Sequence, residues 1–170
     1  MSRIIVDSIR NSSASSDGIT LSSDGKVTFP NTNTGKILQV QHTVKTDKFS
    51  TSSSSYTDVT GMSVTITPTN SSSKILLFSN IRFGAAAGNS DNKYQILRGS
   101  TVISTENYCR QPSTAESWIY ADMILDSPNT TSATTYKIQC LCESSGIYVN
   151  RDSIDRSQGD SYLTAMEIPA

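Results

Sequence analysis

The sequence is poor in histidine, in cysteine, in net charge and in long apolar runs. His42 is the one histidine among 170 residues, and 14 basic side chains are offset by 15 acidic ones. No basic field is present to attract phosphates, so nucleic acid is not an expected partner. The apolar runs are far shorter than the 18 or so residues of a membrane-spanning helix, so membrane insertion is not expected. A Ser-His-Asp catalytic arrangement would depend on His42, whose place on a predicted strand favours a structural role.

The N-terminus and the cysteines point to synthesis in a cytoplasm. Asp7 follows only three apolar residues, Ile4 to Val6, so the apolar core of a secretory signal is missing. Three cysteines in such a chain are not a disulfide framework, and we expect Cys109, Cys140 and Cys142 to be reduced and buried. A structural zinc site requires about four ligands, and the single histidine, His42, lies in another segment of the chain from the Cys140 and Cys142 pair. The sequence therefore predicts neither a metal nor a cofactor.

Serine and threonine are abundant and the pattern of apolar residues is that of strands. The two hydroxyl residues occupy 50 positions, and Val, Ile and Tyr recur at alternate positions between turn signals. The predicted strands cover residues 36–46, 56–59, 62–67, 74–83, 93–97, 101–105, 117–125, 135–142, 146–150 and 162–168. No repeat period supports a parallel β-helix. The fold prediction is all-β, an antiparallel jelly-roll β-sandwich preceded by a thin extended N-terminal arm.

The arm, residues 1–34, is too poor in apolar residues to form a core of its own. Its apolar side chains fall into two groups with different predicted partners. Alternating residues suited to contacts between copies in a homotrimer are Ile19, Leu21, Val27 and Phe29. Residues suited to anchoring the chain on another protein are Ile4, Ile5, Val6 and Ile9. The jelly-roll domain is predicted to cover residues 35–170.

A polar segment, residues 150–160, is predicted to be an exposed loop. Its mixture of Arg, Asp, Asn and Gln suits hydrogen bonding to a sugar or to a polar protein surface, and tyrosines near strand ends can stack on sugars. The candidate exposed binding surface consists of Tyr108, Tyr148, Asn150, Arg151, Asp152, Asp155, Arg156 and Gln158. The alternative interpretation is a solvated connection with no ligand.

Glycoside hydrolysis is the enzymatic alternative that the composition leaves open, because it requires only two carboxyl groups on either side of a sugar bond. The sequence prefers no particular pair. Carboxylates eligible by position are Glu116, Asp122, Asp126, Glu143, Asp152, Asp155 and Asp160. Each of them is also a typical solvated charge at the rim of a sandwich.

Five segments carry a resemblance to a known family. They are residues 35–42 (GKILQVQH), 49–51 (FST), 56–68 (YTDVTGMSVTITP), 73–76 (SKIL) and 163–168 (LTAMEI). Together they resemble the globular module of bacteriophage tail-fibre-like virion proteins that are common in marine phages. The resemblance implies a trimeric jelly roll that sits on a fibre, a tail structure or a capsid surface. It supplies no catalytic residues.

The resemblance implies a non-enzymatic structural protein of the virion, made in the host cytoplasm. The first hypothesis is a short trimeric tail fibre or spike that binds a glycan or protein of the host surface. The second is a capsid or neck decoration, or head fibre, that binds other virion proteins through the arm. An extended arm of 34 residues reaches at most roughly 110 to 120 Å, which is short for a fibre. The third is the small glycosidase.

Overall fold

The computed structural model describes residues 8–9, 19–28, 36–88, 90–111, 116–143 and 145–169. They form fourteen strands and no helix, so none of them builds a helix that could span a membrane. The strands are β1 Ser8–Ile9, β2 Ile19–Leu21, β3 Val27–Thr28, β4 Gln39–Lys45, β5 Phe49–Thr51, β6 Thr57–Ile66, β7 Lys74–Ala85, β8 Ser90–Arg98, β9 Thr101–Val102, β10 Asn107–Gln111, β11 Trp118–Asp126, β12 Thr134–Leu141, β13 Ile147–Val149 and β14 Ser161–Ile168.

Two antiparallel sheets form the jelly roll. Sheet I has the order β4-β14-β7-β11. Beyond β14, the far end of β7 pairs with β13, and β13 pairs with β5. Sheet II has the order β6-β12-β8-β10, and β9 pairs with β8. Counted along the chain, the eight main strands are ordered 1-8-3-6 in sheet I and 2-7-4-5 in sheet II. This is the order that two Greek keys produce. The predicted all-β jelly roll is confirmed.

The core lies between the two sheets and is built by side chains two residues apart. On β7, Ile75, Leu77, Ile81 and Phe83 are buried, and the opposite wall is supplied by alternate residues of β6, β8 and β12. Phe83 is the centre of an aromatic group, since its ring lies 5.1 Å from that of Tyr94. The buried core cluster runs from Val59 to Ala165, so it draws on none of the arm residues that the structure describes.

The predicted strands are found, with differences at three places. The predicted strands 56–59 and 62–67 are one strand, β6, because Gly61 adopts a φ of +82° and the register with β12 shifts there, which is a bulge rather than a break. The short strands β1, β5 and β10 were not predicted, since two to five residues give too little alternation to detect. The predicted boundary between arm and jelly roll, between residues 34 and 35, lies outside the described residues and stays a prediction.

The described part of the arm is a three-stranded antiparallel sheet, β1-β2-β3. Its β2–β3 connection is a turn at Asp24-Gly25, with Gly25 at a φ of +81° and the Asp24 carboxylate accepting a hydrogen bond from the Lys26 N–H. Ile9, Leu21 and Val27 are exposed and Ile19 is half-buried. Ile4, Ile5, Val6 and Phe29 lie outside the described residues. Whether any of these side chains contacts other copies or an anchor stays a prediction.

Candidate interaction surfaces

Asp152 lies at the centre of the 150–160 loop rather than on its surface. Its side chain is buried and accepts hydrogen bonds from the Arg156 N–H (2.9 Å), the Arg156 Nε (2.6 Å) and the Gln158 Nε2 (3.0 Å). Burial acts to raise the pKa of Asp152, but the Arg156 hydrogen bonds and charge outweigh it and the pKa is lowered. The prediction that Asp152 is an exposed binding residue is wrong, because a carboxylate with this many local donors folds the loop around itself.

Asn150 is also buried, so its assignment to the exposed surface is wrong too. Its φ is +60°, a conformation that Asn tolerates better than most residues. The Asn150 Nδ2 donates to the carbonyl oxygens of Lys45 (2.7 Å) and Asp47 (3.1 Å), and its Oδ1 accepts from Ser161 Oγ (2.7 Å). Asn150 therefore joins the loop to the ends of β4 and β14.

Three of the predicted residues, Tyr148, Arg151 and Asp155, do form a connected polar surface at this end of sheet I. The Arg151 guanidinium lies 4.2 Å from the centre of the Tyr148 ring and pairs with Asp155 at 3.2 Å. Arg156 is exposed nearby in the chain. Tyr148 also lines a depression of about 390 Å³ with the hydroxyl-bearing residues Ser50, Thr51, Ser52 and Ser145. Hydroxyl groups beside an aromatic ring are suited to a sugar.

Tyr108 belongs to a different surface. It is 57% exposed on β10 of sheet II, whereas Tyr148 lies on β13 of sheet I. The Lys93 ammonium lies 4.9 Å from the centre of the Tyr108 ring and is paired with Glu106 (3.1 Å) and Glu143 (2.8 Å). The two predicted sugar-stacking tyrosines are therefore not brought together.

The outer face of sheet II is a polar network that sequence reasoning missed. The Asp58 carboxylate accepts from Lys137 Nζ (2.9 Å) and Gln139 Nε2 (2.7 Å), and Gln139 accepts in turn from Gln95 (2.9 Å). The signal in the sequence is the polar alternation of β12, where Thr135, Lys137 and Gln139 occupy the outward positions. Such a face is already hydrogen-bonded and suits contact with water or with a polar partner.

Two of the carboxylates considered for glycoside hydrolysis, Asp122 and Asp126, accept hydrogen bonds from side chains of the opposite sheet. Asp122 accepts from the Tyr94 hydroxyl at 2.6 Å, and Asp126 accepts from Arg98 (2.8 Å to each oxygen) and from the Tyr136 hydroxyl (2.7 Å). Neither the depression at Tyr148 nor a second depression, beside Phe78 and Met123, holds two carboxyl groups. A glycoside hydrolase needs two that converge on one substrate.

The three cysteines are free thiols buried in the core, as the sequence predicts. Burial raises the pKa of Cys140 to about 12 and that of Cys109 further, so both stay protonated. A protonated buried thiol is a poor metal ligand. Within the described ranges, no three side chains of His, Cys, Asp or Glu are grouped closely enough to hold a metal ion.

No protein-family model matches the sequence, and no curated protein is significantly similar to it. Solved structures of similar shape include the PRD1 vertex protein P5, with 12% identity, a TM-score of 0.49, and coverage of 79% of this chain and 99% of that one. The infectious bursal disease virus VP2 subviral particle has 10% identity and a TM-score of 0.47 over 78% of this chain and 33% of that one. The dimeric latent PorU from Porphyromonas gingivalis has 7% identity and a TM-score of 0.41 over 79% of this chain and 14% of that one. Matches at these identities and scores assign no activity, location or partner to this chain.

Proposed function

We propose that this chain is a non-enzymatic structural protein of a bacteriophage virion, a short trimeric tail fibre or spike. In this proposal the arm attaches the protein to the particle and the jelly roll faces the host. The observation that carries it is the contrast between the two parts. The jelly roll has a core of its own from Val59 to Ala165, whereas the arm sheet exposes Ile9, Leu21 and Val27.

The arm sheet supports assembly because it cannot be stable alone. Its strands are two or three residues long, and isolated sheets of that size are marginal in water. Covering its exposed apolar side chains requires another surface, either sister chains or the particle. Burial of each such side chain contributes about 1.5 to 3 kcal/mol before the cost of ordering is subtracted.

The segments that resemble tail-fibre-like proteins occupy the framework of the jelly roll. Residues 39–42 lie in β4, 49–51 form β5, 57–66 form β6, 74–76 begin β7 and 163–168 lie in β14. They therefore cover strands of both sheets rather than one loop or one turn. A resemblance spread in this way supports a shared module, and the polar surfaces at Tyr148 and on sheet II are where a host glycan or protein would bind.

A capsid or neck decoration is the second candidate. It is favoured by the exposed side chains of the arm sheet, Ile9, Leu21 and Val27, which another virion protein can cover. Both candidates share the anchoring arm and the trimer. They differ in where on the particle the protein is found.

The anchoring role is tested by a truncated protein that begins at Gly35. It should fold, because no core residue is removed, and it should fail to join particles assembled without the native protein. Full-length protein added to the same particles is the control, and circular dichroism checks that the truncated form keeps the strand signal of the jelly roll and loses only that of the arm sheet. A truncated protein that decorates the particles at normal occupancy would show that the arm is not the anchor.

A further inference from the structure

The edge strand β11 presents its more apolar face away from the core. Its inward positions hold Tyr120 and Ile124, which pack on the core, together with two carboxylates, Asp122 and Asp126, which accept hydrogen bonds from the opposite sheet. Its outward positions are Ile119, Ala121, Met123 and Leu125, and all four are exposed. A strand at the edge of a monomeric sandwich ordinarily has the reverse arrangement.

The opposite edge strand, β4, is inverted in the same way. Val40 and Val44 point outward and are exposed, whereas Thr43 and Lys45 point inward. The Thr43 hydroxyl donates to the carbonyl oxygen of Ser63 on β6, and Lys45 is buried beside Asp47. The apolar alternation of β4 is thus directed at whatever covers sheet I from outside.

The register of sheet I joins these side chains into one surface, which we call the outer apolar face: the outward side chains of β4, β14, β7 and β11. One row crosses all four strands as Val40-Met166-Leu76-Leu125, and in the next row Phe78 is paired with Met123. Seven of the sixteen large apolar side chains that are exposed among the described residues lie on this face. They are therefore clustered rather than scattered.

The face has the size of an interface core. Four strands about 4.8 Å apart and seven residues at about 3.3 Å each give a projected area of roughly 400 Å². Contiguous apolar patches on monomers rarely exceed a few hundred Å², and a stable interface buries about 800 Å² on each partner. The surface is also uneven, with a depression of about 410 Å³ bordered by Phe78, Ala121, Met123 and Tyr162 that can receive side chains.

The charge of the face favours a second copy of the chain over a polar partner. Three rows of outward side chains cross the sheet from Val40, His42 and Val44 on β4 to Leu125, Met123 and Ala121 on β11. Apart from His42, their side chains are apolar or neutral and polar. Arg82 lies at the border of the face, paired in register with Ile119. Copies of such a face do not repel each other. A host glycan, in contrast, would bury many of its hydroxyls against apolar side chains there.

We infer that the outer apolar face packs against the same face of other copies of this chain around the axis of the trimer. The inference rests on the proposed trimer and assigns its contact surface. An arm that holds three copies together raises their local concentration toward millimolar, so a face of this modest size is sufficient. The polar face of sheet II then points outward.

The test is the full-length protein with Met123→Glu or Val40→Glu, measured by light scattering and sedimentation over a range of concentrations. The matched control is Val102→Glu on β9 of sheet II, because Val40 and Val102 are the same residue at 50% and 47% exposure on opposite sheets. Wild type and Val102→Glu should have three times the mass of one 18.4 kDa chain. Both face variants should raise the concentration at which half of the trimer dissociates by at least about 100-fold, since a glutamate would be buried without a partner.

The outcomes separate this inference from the proposed function. Face variants with the wild-type mass and dissociation concentration would overturn the inference. The trimer itself would be retained, and another virion protein would then be the expected partner of the face. A wild-type protein that is monomeric at micromolar concentration would overturn the trimer itself. Unchanged circular dichroism of the variants is expected, because both positions are exposed in a single chain.

Discussion

Replacing Gly84 with alanine is expected to destabilise the jelly roll by about 3 kcal/mol or more. A β-carbon at Gly84 would lie 2.3 Å from the carbonyl oxygen of Arg151, far inside van der Waals contact. The oxygen belongs to the backbone and a β-carbon has no rotation of its own, so no change of side-chain conformation relieves the overlap. Gly84 is paired with Tyr148 on β13, and Arg151 is held by its bridge to Ser157, so movement of either segment breaks further hydrogen bonds.

Gly99→Ala is the matched control for Gly84→Ala. Gly99 lies in the β8–β9 turn at a φ of +59°, and a β-carbon there meets nothing within 4 Å. Its replacement should cost about 1 kcal/mol through backbone strain alone. Urea unfolding of the two variants gives the comparison. Equal losses would mean that the contact between β7 and the start of the 150–160 loop is not as close as described.

Asp126→Ala is expected to lower the free energy of unfolding by about 3 kcal/mol. It removes the acceptor of the Tyr136 hydroxyl and the ion-pair partner of Arg98. Tyr136 is fully buried, and burial followed by the hydrogen bond to Asp126 raises its pKa, so its hydroxyl stays a neutral donor that needs an acceptor. Alanine leaves that donor without its acceptor and leaves Arg98 without its carboxylate, although Arg98 still donates to the carbonyl oxygen of Ser127.

Asp126→Asn tests whether the charge or the hydrogen bond matters more. The amide oxygen can still accept from Tyr136, but the ion pair between Arg98 Nη1 and the two carboxylate oxygens is lost. We expect a loss about half that of Asp126→Ala, measured by the same urea titration. If Asp126→Ala is no less stable than the wild type, the network between β8, β11 and β12 does not hold the two sheets together as described.

The fold was largely predictable because some of its long strands alternate cleanly. In β6, Met62, Val64 and Ile66 are apolar and buried and alternate with the exposed Ser63 and Thr65, and this pattern gives both the strand and its inward face. The bulge at Gly61 was not predictable, because a glycine between two alternating segments can equally mark a turn. The order of strands in the sheets follows from the fold class rather than from any single residue.

The candidate surfaces were less predictable, because composition does not report burial. Asn150 and Asp152 belong to a polar segment, yet both are buried, since a short loop can satisfy a buried polar side chain with its own N–H groups and its neighbours. The alternation of β4 predicted one apolar face but not its direction. Which side of an edge strand meets the core depends on its partners in the sheet.

The most direct test of the proposed virion assignment is immunogold electron microscopy of virus particles purified from the culture in which this chain is expressed, with an antibody against the jelly roll. The antibody should label the particles, and label at the tail is the result expected of a tail fibre or spike. Label on the capsid or neck would support the decoration role instead. Particles that carry no label, although the antibody binds the purified protein, would contradict a structural role in the virion.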